Sequence, residues 1–138
     1  MAMNRLTWVG LDELKNDLRL LPVALGGEGG KIAEGHANGA AATIKAGYPA
    51  RTGNLRDKVV VVHTRGAFGA KSIVKNTSKH ARVFESGSQA RHTELGANRG
   101  AMPPNPIFTQ TVMRARRAMY ADLIALMERH GLTVTGSM

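Results

Sequence analysis

The side chains that most often bind metals or carry protons are present in this chain, but their spacing does not build a known site. None of the five histidines has another histidine four residues away, as a zinc-binding helix requires. The pair His92 and Glu94 would supply only two ligands. We therefore expect no metal. The five histidines are His36, His63, His80, His92 and His130.

Nucleotide binding and nucleophilic catalysis are not indicated either. A phosphate-binding loop ends in Gly-Lys-Ser/Thr, whereas Gly30 and Lys31 are followed by Ile32. No serine lies in a Gly-x-Ser-x-Gly motif, and the chain has no cysteine. We expect no cofactor and no enzymatic activity. The rival is a small enzyme, such as a toxin-like nuclease, whose acid and base would converge from separate segments; His92 and Glu94 would be the residues to mutate.

The charge of the chain is high and unevenly placed. The 138 residues carry a net charge of +9. Residues 1–50 hold five basic and five acidic side chains, whereas residues 51–138 hold fourteen and five. A basic surface attracts nucleic acid or an acidic protein, and it also serves simply as a solvated face. A small basic nucleic-acid-binding protein is therefore one function that the composition allows.

The sequence also predicts the compartment in which the protein is made. No apolar run approaches the roughly 20 residues that cross a bilayer, and the N-terminus lacks the apolar stretch of a signal peptide. The absence of cysteine is compatible with a reducing compartment. We expect synthesis in the cytoplasm and no membrane partner. A chain of this length suits one domain spanning residues 1–138 with a single core.

Helical periodicity marks the first part of the chain. Leucines recur at three- and four-residue spacing over residues 11–21, which predicts an amphipathic helix. Pro22 and the four glycines within residues 26–30 predict a break. A second helix is expected over residues 31–46, where His36 lies on the apolar face as a core or rim histidine. Beside that face lies a stripe of small residues suited to close packing: Gly35, Gly39 and Ala42.

A hairpin is expected next. Residues 59–62 are four consecutive valines, which predicts a strand buried on both faces, or between a helix and a neighbouring subunit. Residues 66–70 suit a hairpin loop, and residues 72–76 then pair antiparallel with the first strand. Two strands alone are marginal, so helices or another copy should complete the sheet. Val60 and Val62 are therefore candidate subunit contacts.

The last part of the chain combines an irregular segment and a long helix. Residues 86–106 contain three glycines and three prolines without periodicity, which predicts a long assembly loop. Arg91, His92 and Arg99 in this loop are candidate contacts to a neighbouring subunit or partner. Residues 106–130 form a helix on which the sheet is expected to pack. Arg114 and Arg117 flank its apolar stripe and face DNA, a partner or solvent.

These elements define an α+β fold: a small antiparallel sheet packed against a long C-terminal helix and N-terminal helices, with a long loop. Three segments also resemble the tail-completion or head-to-tail joining proteins of long-tailed bacteriophages. They are a turn at residues 46–56 (AGYPARTGNLR), an aromatic-glutamate-x-glycine segment at residues 81–88 (ARVFESGS), and a proline-rich approach to the last helix at residues 102–108 (MPPNPIF). The chain departs from the family pattern at Ser86, where a phenylalanine is usual, and at Gln110 and Thr111, where Pro-Ala is usual.

The resemblance implies a structural protein of the phage neck or upper tail that surrounds the channel through which DNA leaves the capsid. It implies a ring of copies of this chain, expected to be hexameric, bound to the adjoining connector and to tail-tube or terminator proteins. Contact with phage DNA would be non-specific. The protein would be made in the bacterial cytoplasm and end in the virion.

Overall fold

A computed structural model describes residues 11–51, 53–66 and 69–136 of the chain. Their elements are helix α1 (Leu11–Gly47), helix α2 (Asn54–Asp57), strands β1 (Val59–Gly66) and β2 (Gly69–Asn76), helix α3 (Ala81–Ser86) and helix α4 (Ile107–Arg129). The expected α+β class is confirmed, with one two-stranded antiparallel sheet and a long C-terminal helix. Among the described residues, no helix is both long and apolar enough to cross a membrane.

Helix α1 is continuous, so the predicted break at Pro22 and at the glycines is wrong. Its 37 residues make a rod of about 55 Å. Pro22 leaves the carbonyl group of Leu18 without its helical partner, but this part of α1 is exposed and water can supply the hydrogen bond. Tertiary packing offsets the low helix propensity of the glycines further along.

Two of those glycines admit close neighbours. A Cβ at Gly29 would lie 3.5 Å from the Leu123 side chain of α4, and a Cβ at Gly30 would lie 3.0 Å from Ala70 of β2. Among the described residues the predicted small-residue stripe has no such role, because Gly35 and Gly39 have nothing within 4 Å of their Cβ positions. The buried face of α1 is instead formed by Ala37, Ala40, Ala41 and Ile44.

Helices α1 and α4 pack antiparallel. Near the end of α1, Gly47 meets Ile107, the first residue of α4. Midway, His36 Nε2 lies 2.6 Å from Asp122 Oδ2, which makes it the rim histidine that was expected. Beyond the end of α4, α1 continues towards its own N-terminus. The N-terminal part of α1 therefore projects past the helix that it packs against.

The sheet lies on α1, beside α4 rather than chiefly on it. Strands β1 and β2 pair in the predicted antiparallel arrangement, with Val62 opposite Ile73. On the inner face, Arg65 forms an ion pair of 2.8 Å with Glu34 of α1, and His63 Nε2 lies 3.2 Å from Asn38 Oδ1. Ala67 and Phe68, which fall in the predicted hairpin loop, lie outside the described residues.

The core is concentrated at the end of α1 where the chain enters the sheet. Its buried residues are Ala41, Ile44, Tyr48, Val59 and Phe84. Partly buried residues from the sheet and α4 pack around them, among them Val61, Val74 and Val112. The Tyr48 and Phe84 rings meet edge to face, with centroids 5.4 Å apart and planes at 89°. This aromatic contact joins two segments that are far apart in the sequence.

Candidate assembly surfaces

The three segments that carry the phage resemblance meet at one place, which we call the junction (Tyr48, Phe84, Glu85, Gly87 and Ile107). Tyr48 from the first segment packs on Phe84 from the second. The backbone N–H of Asn105, from the third segment, donates to the Phe84 carbonyl group at 3.1 Å. Segments separated by up to sixty residues are thus held together, and their unusual residues have structural tasks.

Glu85 holds the start of α4. Its Oε1 accepts a hydrogen bond from the Phe108 N–H at 2.7 Å, and its Oε2 accepts from the Thr109 N–H and hydroxyl, each at 3.3 Å. The first N–H groups of a helix lack intrahelical partners, and the side chain of Pro106 at the N-cap has no atom that could accept a hydrogen bond from them. Glu85 satisfies these donors from another segment, and its negative charge suits the positive end of the helix dipole.

Tyr48 is linked to the same carboxylate. Its hydroxyl donates to Glu85 Oε1 over 3.4 Å, and the residue is only 2% exposed. Burial, helped by the nearby Glu85 charge, raises the pKa of the Tyr48 phenol above its ordinary value of 10.0, while Asn76 lowers it. The junction therefore favours the neutral phenol.

Gly87 is the one residue of the junction that no other type could replace without strain. Its φ of 75° lies in the region that glycine prefers. A Cβ there would lie 2.6 Å from the Met102 carbonyl oxygen and 2.8 Å from the Pro104 nitrogen. Gly87 thus allows the chain to leave α3 against the proline-rich segment.

The predicted loop at residues 86–106 is more ordered than expected. Residues 88–102, which we call the ladder arm, fold back on themselves through isolated bridges that pair Ser88 with Met102 and His92 with Asn98. Backbone hydrogen bonds include Arg99 N–H to the Arg91 carbonyl group at 2.6 Å. The ladder arm is ordered by backbone pairing, which requires no periodic spacing of apolar residues. The sequence pattern therefore did not indicate this order.

The ladder arm buries little of its surface against the body of the protein, by which we mean the sheet, α4 and the part of α1 that packs on them. Residues 89–92 and 94–101 are exposed, so Arg91, His92 and Arg99 all point into solvent from one paired unit. At its tip Leu95 is 97% exposed. Leu95 was not among the predicted contacts, because a single leucine in a polar segment carries no pattern. The arm is available for a partner, and the three predicted contacts remain predictions.

The second set of predicted contacts lies on the outer sheet face, which consists of Val60, Val62, Thr64, Lys71, Ile73 and Lys75. Val60 and Val62 are 39% and 37% exposed, because α1 covers only the opposite face. The expectation that the valine strand is buried on both faces is therefore wrong within one copy. The alternative, a helix on one side and a neighbouring subunit on the other, stays open.

The predicted DNA- or partner-facing residues Arg114 and Arg117 lie one turn apart on α4 and are exposed. The apolar stripe of α4 turns towards α1 instead, through Leu123 and Leu126. The two arginines and the ladder arm are on separate elements, and no described contact brings them together. The structure gathers the arm residues into one surface and the two valines into a second.

A third surface was not predicted. Residues 12–20 of α1, which we call the helix arm, are all exposed. Leu14 is 53% and Leu18 59% exposed, although their spacing predicted a buried stripe. The leucine periodicity was recognised in the sequence; only the structure shows that the body of the protein stops short of it.

The two residues that the enzyme alternative singled out do not line the groove between α1, β2 and α4. This groove has a volume of about 480 Å³, and its lining includes His36, Ala40, Val112 and Met119. His92 and Glu94 are on the exposed ladder arm, outside this groove. Within the part of the chain that the structure describes, no three acidic or histidine side chains are grouped so as to hold a metal ion.

Comparison of the chain with protein-family models, with curated proteins and with solved structures finds no match. The functional argument therefore rests on the junction and on the three exposed surfaces.

Proposed function

We propose that this chain is a structural protein of the head-tail junction or upper tail of a long-tailed phage, where copies form a ring around the DNA exit channel. The observation that carries the proposal is the junction. The three segments of the resemblance converge there, and each motif residue supports the fold: Glu85 holds α4, Gly87 admits the proline-rich segment, and Tyr48 packs on Phe84.

The exposed surfaces support an assembly role. The ladder arm projects from the junction with Leu95 at its tip, and the outer sheet face shows apolar side chains to solvent. Surfaces of this kind are typical of proteins that complete their packing with a partner. Heterologous contacts between copies close into a ring when the rotation between neighbours allows it. The expected copy number is six, as the resemblance implies.

The test uses phage particles released by cells that carry the gene. Mass spectrometry of purified particles is expected to find the chain at a small fixed copy number. Particles made without the gene should show unjoined heads and tails, or tails of defective ends, in negative-stain electron microscopy. Supplying the wild-type gene in trans should restore joined particles. Absence of the chain from finished particles would refute the proposal.

A second candidate function is non-specific nucleic-acid binding by the isolated chain. It is supported by exposed Arg114 and Arg117 and by the hairpin, whose residues 59–76 carry three basic side chains and no acidic one. Fluorescence anisotropy with duplex DNA at several salt concentrations separates the two functions. Strong binding whose affinity falls steeply with salt supports the second function. Weak binding by the isolated chain supports the structural one.

A further inference from the structure

The helix arm carries apolar side chains that the described residues of its own copy leave uncovered. Leu14 and Leu18 lie one turn apart, and Leu21 continues the stripe to the place where α1 meets the body. A stripe of this kind on a helix is normally buried against another element. In the described part of the same copy the body does not cover it, since α4 ends at Arg129 and packs on α1 only from about Glu28 onward.

The helix arm also differs in charge from the rest of the protein. Its residues 12–20 contain three acidic and two basic side chains, a net charge of −1 in a chain of +9. The hairpin, residues 59–76, contains three basic side chains and no acidic one. Attraction between unlike surfaces therefore favours contact of the helix arm with the hairpin over contact of two helix arms.

The outer sheet face has the matching character. Val60, Val62 and Ile73 form an apolar strip, exposed by 37% to 39%, and Lys71 and Lys75 are next to Ile73 on the same face. A two-stranded sheet covered on one side only is marginal, so a second layer is expected to stabilise it. A helix laid on this face would give the sheet a helix on each side.

The dimensions agree as well. The leucines from Leu14 to Leu21 span about 10 Å along a helix axis. The outer sheet face spans about 13 Å along β1 from Val60 to Thr64, of which the apolar strip occupies about 7 Å. Two turns of the helix arm therefore cover the apolar strip and bring Asp17, beside Leu18, to the level of the lysines.

The helix arm and the outer sheet face of one copy cannot meet each other. Helix α1 lies against the inner face of the sheet, as the ion pair between Glu34 and Arg65 shows, and the helix arm continues α1 without interruption. The helix arm is thus on the wrong side of its own sheet. Any such contact must join two copies through different surfaces, and contacts of this type propagate around a ring.

We infer that the helix arm of one copy docks on the outer sheet face of a second copy, with Leu14 and Leu18 against Val60, Val62 and Ile73. This contact deepens the proposed ring and rests on that function only for the number of copies. The occupant is another copy of this chain, held by apolar burial and by acidic side chains of the helix arm facing Lys71 and Lys75.

Cysteine cross-linking tests the contact directly, because the chain has no cysteine of its own. Two variants, Leu18→Cys and Ile73→Cys, are purified separately, mixed at the highest soluble concentration and treated with a short bis-maleimide. The expected product is a cross-linked dimer that forms in the mixture. Both positions are exposed, and circular dichroism of each variant checks its folding.

The matched control is Leu20→Cys, which lies on the opposite side of the helix arm and is 67% exposed. Mixed with Ile73→Cys, it should give about a tenth of the product, since only the leucine stripe faces the sheet. Equal yields from Leu18→Cys and Leu20→Cys would indicate random collision and overturn the inference. A dimer formed by Leu18→Cys alone would show that helix arms pair with each other, and absence of any dimer would also overturn it.

Charge exchange provides a second measurement. Asp17→Lys or Lys75→Glu alone should weaken self-association about tenfold in sedimentation equilibrium, and the double variant should recover most of the loss. No recovery would contradict the pairing. These outcomes are independent of the phage assignment: the cross-link can form in a chain that is absent from virions, and a virion protein can lack it.

Discussion

Glu85 has the most consequential position of any single side chain at the junction. Its carboxylate accepts hydrogen bonds from the second and third N–H groups of α4 and from the Tyr48 hydroxyl. The aromatic-glutamate-x-glycine pattern was noticed in the sequence as part of a resemblance. Its physical meaning, a helix cap supplied from a distant segment, required the fold, because a cap is normally sought just before the helix that it serves.

Replacing Glu85 should therefore destabilise the protein. We expect Glu85→Ala to lower the free energy of unfolding by about 1 to 2 kcal/mol, the range found for lost helix caps and buried acceptors. Glu85→Gln keeps one acceptor oxygen and should lose less. Urea denaturation measures both. The control is Glu94→Ala on the exposed ladder arm, expected within about 0.5 kcal/mol of wild type. Equal effects at the two positions would show that Glu85 does not hold α4.

Tyr48 gives the junction a dependence on alkaline pH. Its pKa in the folded state is raised above the ordinary value of 10.0, chiefly by burial. Near neutral pH the phenol is neutral in both folded and unfolded chains. As pH rises through the interval between the unfolded and folded pKa values, the unfolded chain loses the proton first, and the stability contributed by the neutral buried phenol is lost.

The test compares the stability of Tyr48→Phe with that of wild type across this pH range. Near neutral pH the variant lacks the hydroxyl bond to Glu85 and should be equal to or slightly less stable than wild type. Above pH 10 the difference should move in favour of the variant, because phenylalanine has no proton to lose. Thermal unfolding at pH 7 and above pH 10 provides the measurement. A difference that stays constant with pH would contradict the raised pKa.

At the scale of elements, the sequence predicted which helices and strands form better than it predicted where they begin and end. The antiparallel pairing of the hairpin and the long helix α4 follow from β-branched runs and from apolar spacing, which act locally, and both are confirmed. Pro22 and the glycines of α1 carry local penalties that the packing of α4 and β2 against Gly29 and Gly30 outweighs. Such compensation comes from residues forty or more positions away, so no local pattern could report it.

The glycines of α1 can be separated by substitution. Gly26 has nothing within 4 Å of its Cβ position, so Gly26→Ala should raise the free energy of unfolding by about 0.5 to 1 kcal/mol through helix propensity alone. A Cβ at Gly30 would lie 3.0 Å from that of Ala70, so Gly30→Ala should gain nothing or lose stability. Urea midpoints compare the two. Equal gains would show that Gly30 does not hold α1 against the hairpin.

At the scale of the whole molecule, the body and the projecting parts have different tasks. The core at the end of α1 and the junction hold the fold, whereas the helix arm, the ladder arm and the outer sheet face contribute little to it. The positions of the arms were only partly predictable. Exposure of a leucine stripe depends on where its packing partner ends. Helix α4 ends at Arg129, and Gly131 follows with a φ of 78°, the left-handed conformation that commonly terminates a helix.

The division between body and projections can be tested by removing the ladder arm. Ser88 and Met102 are bridge partners across its base, so an Asn-Gly turn can join them in place of residues 89–101. Because twelve of these thirteen residues are exposed, the shortened chain should keep its free energy of unfolding within about 1 kcal/mol. It should nevertheless fail to restore joined particles in cells that lack the gene.

A matched variant separates the charges of the ladder arm from its backbone. Arg91→Ser with Arg99→Ser keeps the arm at full length and should reduce restoration of joined particles without changing stability, provided that these arginines contact a partner. Particle counts by electron microscopy and thermal unfolding of the purified variants provide the two measurements. Full restoration by the shortened chain would show that the arm is dispensable for assembly. Because removal of the ladder arm exposes no core residue, the shortened chain should fold. If it does not fold, the ladder arm is a structural part of the body.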